Sequence, residues 1–270
     1  MLFVGFWRRN WALAKLAVLS NLEYRLNFLS DVILQPLTHA GIEILLWLAV
    51  FRTLGRNEIA GFSLDNYLAY VMWAPFFARA ASNWMYEFRM SAEIEYGTLN
   101  TILTRPISFF EYYWSQFLSY KLMTTASSLW VPISVCLIFN LPMKFSMLPW
   151  ALILMLYYLL FVYLMSFTVA CFSFHMTKTG SISMAKNLAL WTLSGEMVPF
   201  DIAPEPYKSI LMNLPFCHGV FTPVAMITGR LGMDDFYRGM MSTTYGILFL
   251  SVVCLVLWRR GVRVYTGTGA

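Results

Sequence analysis

The sequence predicts an all-α protein that crosses a membrane several times. Hydrophobic residues make up 59% of its 270 residues and charged residues only 12%, whereas a soluble domain carries roughly 25% charged residues. The mean hydropathy of +0.61 is typical of a chain with several apolar stretches of the roughly 20 residues that a membrane-spanning helix needs. We therefore expect a polytopic helical membrane protein.

Six apolar stretches are predicted to be transmembrane helices, within a single domain that takes up residues 1–270. Proline residues inside the first three, Pro36, Pro75 and Pro132, are expected to bend these helices. The predicted spans cover residues 27–54, 64–84, 115–141, 148–174, 182–199 and 239–258.

The segment from Phe3 to Leu22 precedes the first span and is too charged to cross a bilayer. It combines Trp7 and Trp11 with Arg8 and Lys15 among apolar residues. This composition predicts an amphipathic helix that lies in the membrane interface. The alternative is a frayed beginning of the first span.

Lysine and arginine residues are unevenly divided between the two sides that six spans would create. The side that holds both termini carries 11 of them, and the opposite side carries 6. Because these residues collect on the cytoplasmic side of membrane proteins, both termini are predicted to be cytoplasmic. The same rule accounts for the net charge of +5 without any binding of nucleic acid.

A polar segment, Met85 to Ser108, separates the second and third predicted spans and must lie outside the lipid. The charge count places it in the cytoplasm. Its first half can form an amphipathic helix with a charged face that suits a reversible contact with a cytoplasmic partner. Its second half would return the chain to the membrane. The residues expected to matter for the contact are Glu87, Arg89, Glu93, Glu95, Gly97 and Arg105.

The first predicted span carries a polar residue at every fourth position. Each step is offset by about 40° on a helix with 3.6 residues per turn, so the row forms a slanted ridge that can pack along a neighbouring helix. Asp31 is predicted to pair with Arg79 of the second span, which would lie at a similar depth in the membrane. We call this set of residues the intramembrane polar row; it comprises Asp31, Gln35, His39 and Glu43 of the first span and Arg79 of the second.

Two interpretations of the deeper members of this row, His39 and Glu43, stay open. They can form hydrogen bonds between helices that fix the helix register. Alternatively they can line a translocation surface or a proton relay, for which Glu196 of the fifth span is the other candidate acid.

A proline-rich apolar segment, Phe200 to Arg238, lies before the sixth span. It is too apolar for an ordinary loop and too often interrupted by proline to cross the membrane. We expect a hairpin that dips into the outer leaflet and is buried by protein; the alternative is an apolar loop on the membrane surface. The residues assigned to the hairpin, together with the end of the fifth span that leads into it, are Glu196, Pro199, Pro204, Pro206, Pro215 and Pro223.

Motifs of catalysis and of cofactor binding are absent from the sequence. It contains no HExxH and no GxSxG, and its four cysteines are scattered, so neither a metal site nor an enzyme activity is predicted. No GxxxxGK[ST] phosphate-binding loop occurs either. If ATP drives transport, the ATPase must therefore be another chain.

Taken together, these features resemble the membrane subunits of ABC-2 type exporters. The resemblance covers almost the whole chain, and it is most specific at Gly97 to Ile107, at Ser194 to Phe216 and at the ending with Arg263, Tyr265 and Gly267. It implies a permease in a bacterial cell membrane that pairs with a second permease, identical or paralogous. It also implies two cytoplasmic ATPase subunits, which would bind ATP and Mg²⁺.

The resemblance further assigns roles to two segments. Met85 to Leu103 would be the coupling helix that docks on the ATPase, and Pro199 to Pro223 would form the outer gate. Two other functions stay open: a secondary transporter that uses its own intramembrane charges, and a membrane scaffold. The sequence does not identify the cargo, although apolar, aromatic spans favour an amphipathic or lipid-like substrate.

Overall fold

The structure is a computed structural model that describes residues 15, 29–55, 58–59, 61–196 and 198–267. The predicted interfacial helix, Phe3 to Leu22, lies outside the described residues apart from Lys15. About 79% of the structure is helical, with almost no sheet. The fold class is therefore the predicted one.

The helices follow one another with short connections, and a small hairpin of two strands lies between the first two. A π-helical turn, Ser30–Leu34, runs directly into α1, and three short 3-10 helices lie at Phe145–Met147, Phe200–Ile202 and Pro215–Gly219. The elements are α1 (Gln35–Leu54), β1 (Glu58–Ile59), β2 (Phe62–Ser63), α2 (Leu64–Ala81), α3 (Trp84–Glu95), α4 (Asn100–Leu103), α5 (Phe109–Ser128), α6 (Trp130–Ile138), α7 (Leu148–Phe172), α8 (Gly180–Leu193), α9 (Tyr207–Asn213), α10 (Phe221–Ile227) and α11 (Met233–Val264).

Four helical stretches are long and apolar enough to cross a membrane by length and composition. They are Val32–Leu54, Phe109–Ile138, Phe145–Phe172 and Met233–Val264. The predicted second and fifth spans correspond to α2, with 18 residues, and α8, with 14 residues. At about 1.5 Å per residue, α8 is roughly 21 Å long, which is shorter than the hydrocarbon core of a bilayer. The count of six spans stays a prediction.

The connections between the helices gather at two opposite ends of the bundle. At one end, the Arg230 guanidinium donates a hydrogen bond of 2.9 Å to the carbonyl oxygen of Asn66. The backbone N–H of Lys144 donates one of 2.7 Å to the carbonyl oxygen of Ile227. At the other end, the backbone N–H of Thr179 donates to Glu95 over 3.2 Å. The predicted outer loops thus lie together, and so do the predicted cytoplasmic ones.

Helix α7 forms the centre of the bundle, whereas α1 and α11 lie at its surface. In the most apolar 18 residues of each candidate span, 61% are buried in the span that contains α7, but only 22% in the spans that contain α1 and α11. Large aromatic side chains fill the interior, including Trp73 of α2 and Tyr163 of α7. The apolar surfaces of α1 and α11 suit contact with lipid or with other membrane helices.

Candidate functional site

The polar segment between α2 and α5 forms α3, which is fixed to the rest of the protein by a buried ion pair. The carboxylate of Glu87 is completely buried and pairs with Lys186 of α8. Glu87 also accepts a hydrogen bond from Ser183, and Lys186 donates to the hydroxyl of Ser166 over 3.2 Å. One cluster of four polar side chains therefore joins α3, α7 and α8.

The carboxylate of Glu95 forms a second link between α3 and α8. It accepts hydrogen bonds from the backbone N–H of Thr179 over 3.2 Å and from its hydroxyl over 3.0 Å, and a third from Ser173 over 3.3 Å. Thr179 directly precedes α8, so a negative charge lies at the positive end of the α8 dipole. We name the two sets of contacts made by Glu87 and Glu95 the α3–α8 junction.

Glu93 faces the protein as well, because it accepts a hydrogen bond of 2.6 Å from the hydroxyl of Tyr113 on α5. The carboxylates of α3 therefore do not form the outward charged face that the sequence suggested. Their partners on α5 and α8 are distant in the sequence, and helical periodicity carries no information about them.

The outward surface of α3 is instead aromatic and basic. The side chains of Phe88 and Tyr96 are 71% and 75% exposed, and Arg89 is exposed beside them. A groove of about 690 Å³ lies between this surface and the start of α8, where Lys178 and Met184 contribute to its lining.

The second half of the polar segment turns back towards the bundle through a glycine. Gly97 has a φ of +74°, a left-handed conformation that glycine adopts at little cost. The backbone N–H of Leu99 then donates to the carbonyl oxygen of Glu93 over 3.0 Å, and α4 follows. Arg105 lies beyond α4 and is exposed.

The polar row of the first span meets the end of α2. Gln35 accepts a hydrogen bond from the guanidinium of Arg79. Buried Lys121 of α5 donates to the carbonyl oxygen of Arg79 over 2.7 Å and to the hydroxyl of Ser82 over 3.1 Å. The side chain of Asp31 lies outside the described part of the structure, so its pairing with Arg79 stays a prediction.

Three adjoining cavities surround Ser82, which lines each of them. They measure about 110, 250 and 210 Å³. Asn83 lines the first two, is only 4% exposed, and forms no hydrogen bond through its side chain to the described residues. Tyr86 also lines the first cavity, and burial raises the pKa of its phenol, which therefore stays neutral. We name this region the polar vestibule.

The vestibule extends to the deeper acids of the predicted spans. Glu196, just after α8, lines two of the three cavities, and His39 lines one of them. The side chains of His39 and Glu43 lie 3.6 Å apart, and Glu196 is close enough to interact electrostatically with Glu43. The structure thus brings these three residues together, which is compatible with both interpretations of the row.

The segment before α11 is half exposed and half buried. Pro204 and Pro206 are exposed near α9, Pro215 is partly buried, and Pro199 and Pro223 are buried. All seven residues of α10 are buried, so this second half is covered by protein, as a segment that enters the membrane requires.

An ion pair closes the base of this segment. Arg230 binds Asp201 over 2.7 Å, and Lys208 lies 3.7 Å from the same carboxylate. The Arg230 guanidinium also lies 4.2 Å from the centre of the Phe62 ring. The segment is thereby tied to the β1–β2 hairpin.

Sequence reasoning did not assign a role to Lys186, Ser183, Thr179 or Asn83. The signal for Lys186 was present, because a lysine within an apolar stretch is costly unless an acid lies nearby. Its partner, Glu87, is 99 residues away in the chain. In the described part of the chain, no group of three His, Cys, Asp or Glu residues could hold a metal ion.

Comparison with known families gives one result. The sequence model of a family described as ABC-2 family transporter protein matches residues 37–269. The match includes α1 from Leu37 onward and all later helices. No individually curated protein matches the chain.

Proposed function

Because this chain belongs to the ABC-2 family of transporter proteins, we propose that it is the permease subunit of an ATP-driven exporter. The chain itself would perform no ATP hydrolysis, and two ATPase subunits in the cytoplasm would bind ATP and Mg²⁺. A second permease, identical or paralogous, would complete the pathway. The complex would lie in the inner membrane of a bacterium, with both termini of this chain in the cytoplasm.

The observation that carries the proposal is the α3–α8 junction. The buried ion pair of Glu87 with Lys186 and the hydrogen bonds of Glu95 with Thr179 join a short polar helix to a helix of the bundle. A force applied to α3 would therefore move α8. The same helix lines the polar vestibule through Asn187 and Trp191, so motion of α3 would reshape a cavity within the bundle.

The outward surface of α3 suits a protein partner. Aromatic residues and arginine are enriched in the central parts of protein interfaces, and Phe88, Arg89 and Tyr96 are exposed next to a groove of about 690 Å³. We assign the ATPase contact to this surface. The carboxylates of α3 would act inside the permease, where they transmit the motion.

The polar vestibule would be the inner part of the export pathway. The side-chain amide of Asn83 forms no hydrogen bond to the described residues and lies in the same cavity as the ring of Trp191. This combination suits an amphipathic substrate with a polar head and an apolar body. The segment that contains α9 and α10 would then form the outer gate.

Loss of ATPase binding tests the proposal. In the variant Phe88→Asp/Arg89→Glu, we expect an affinity-tagged permease to lose its ATPase and the stimulated ATP turnover. The matched control is Tyr237→Asp/Arg238→Glu, which changes an exposed aromatic–arginine pair at the opposite end of the bundle. If the Phe88→Asp/Arg89→Glu variant keeps as much ATPase as the control, the proposed contact surface is wrong.

A secondary transporter is the second candidate, and the proximity of Glu43, Glu196 and His39 favours it. Such a protein would move its substrate in proteoliposomes under a proton gradient without ATP. The exporter proposal would be wrong, and the secondary transporter would replace it, if transport needs the proton gradient, persists without an ATPase and is lost in Glu43→Gln.

A further inference from the structure

An apolar groove of about 420 Å³ lies between the start of α5, the second half of α7 and the end of α11. Its volume is within the range of about 300–1,000 Å³ that is usual for small-molecule sites. Aromatic rings form its wall: Phe109 and Trp258 stack at 5.3 Å, and Phe110 and Phe167 meet edge-on at 5.2 Å. None of the proposed functional contacts uses this groove.

The groove is open towards the outside of the bundle. Leu103 and Leu255 contribute to its lining and are 43% and 51% exposed. Leu255 continues an exposed apolar row on α11 that includes Phe249 and Val252. In a multi-pass membrane protein, such a surface suits contact with the acyl chains of the lipid.

Two positive charges lie at the end of the groove that is predicted to face the cytoplasm. Arg105 lies between the lining residues Leu103 and Ile107, and Arg259 follows the lining residue Trp258. Both arginines are exposed and form no ion pair within the described part of the chain. Within three positions of a lining residue, the only carboxylate is Glu111, so the local balance of side-chain charge is positive.

We infer that this groove binds an anionic phospholipid of the cytoplasmic leaflet. One acyl chain lies along the aromatic wall, and Arg105 and Arg259 bind the phosphate. The position of Trp258 agrees with this depth, because tryptophan collects at the level of the lipid headgroups. Each basic residue near a membrane surface strengthens the binding of anionic lipid by about fivefold, so the two arginines select strongly against a zwitterionic lipid.

Competition between two lipids tests the inference. The full-length chain, purified in mild detergent, is mixed with equal amounts of phosphatidylglycerol and phosphatidylcholine, and bound lipid is counted by native mass spectrometry. We expect phosphatidylglycerol to be retained at least about tenfold over phosphatidylcholine. In Arg105→Gln/Arg259→Gln the preference should vanish. In the control Arg52→Gln/Arg238→Gln, which changes exposed arginines at the other end of the bundle, it should remain.

A second variant tests the acyl-chain part without altering any charge. Ser251 is an exposed residue of α11 that lines the groove, and Ser251→Trp would fill it. We expect this variant to lose the retained phosphatidylglycerol although its arginines are intact. Equal retention of the two lipids by the unaltered chain, or full retention of phosphatidylglycerol by Ser251→Trp, would overturn the inference. Equal retention of the two lipids is also the result expected if a protein partner, rather than a lipid, covers the groove.

Discussion

Glu87 and Lys186 form a buried ion pair, with exposed fractions of 0% and 8%. Removing two charges from water is costly, and their attraction offsets the cost only when further hydrogen bonds satisfy both groups. Ser183 and Ser166 supply those bonds. The pair is therefore weak evidence for stability but strong evidence for a fixed geometry between α3 and α8.

Changing one member of this pair should be worse than changing both. Lys186→Met leaves the Glu87 carboxylate buried without its counter-charge, and we expect a loss of roughly 3–5 kcal/mol in the free energy of unfolding. The double variant Glu87→Gln/Lys186→Met should recover most of that loss. The measurement is thermal or denaturant unfolding, in one detergent, of the unaltered protein, the two single variants Glu87→Gln and Lys186→Met, and the double variant. Strictly additive effects of the two changes would show that the pair does not act as a unit.

At the scale of the element, α3 acts as a rigid link only if its C-terminal end is held as firmly as its middle. Hydrogen bonds to a charged group contribute about 1.5–3 kcal/mol each, and Glu95 accepts three of them near the start of α8. Loosening this contact should separate binding of the ATPase from the motion that it drives, because the outward surface of α3 is unchanged.

The variant Glu95→Gln should therefore bind the ATPase but export poorly. We expect ATP turnover within about twofold of the unaltered complex and a drop in export per ATP of about tenfold. Glu58→Gln, at an exposed carboxylate of β1, is the matched control. An unchanged ratio of export to ATP turnover in Glu95→Gln would show that the contact does not transmit the motion.

The positions of the helices could be predicted from the sequence, but several of their ends could not. The third span was predicted to begin at Ser115, whereas α5 begins at Phe109 because the hydroxyl of Ser108 accepts the backbone N–H of Glu111 over 3.1 Å. The sixth was predicted for residues 239–258, but α11 runs from Met233 to Val264. Hydropathy detects the part of a helix that suits lipid, and a helix continues beyond it wherever capping and packing allow.

The orientation of the polar side chains was less accessible than the positions of the helices. The amphipathic pattern of α3 correctly indicated a helix, but it could not tell which face meets solvent. Glu87 and Glu95 point inward because α8 and the turn before it offer a lysine, a serine and a threonine. Such a polar contact between distant segments becomes visible only when both have been placed.

At the scale of the whole molecule, two observations describe the same polarity of the bundle. Described segments of the side that is richer in Lys and Arg in the sequence, those with Arg89, Lys178 and Arg263, lie together at the end that holds α3 and the last turn of α11. The β1–β2 hairpin and the proline-rich segment lie at the other end, where Arg230 joins them. This separation is what six crossings of the membrane would produce, although α2 and α8 are marginal in composition or length.

Labelling of single introduced cysteines distinguishes six crossings from four. If α2 and α8 both cross and the N-terminus is cytoplasmic, Glu58→Cys and Ser146→Cys should react with a membrane-impermeant maleimide from outside, and Lys178→Cys only from the cytoplasm. If only α1, α5–α6, α7 and α11 cross, Glu58→Cys still reacts from outside. Ser146→Cys should then react only from the cytoplasm, and Lys178→Cys from outside. The three positions are exposed, and the four native cysteines are buried, so their background should be low. Reaction of Glu58→Cys from the cytoplasm alone would instead reverse the predicted orientation of the whole chain.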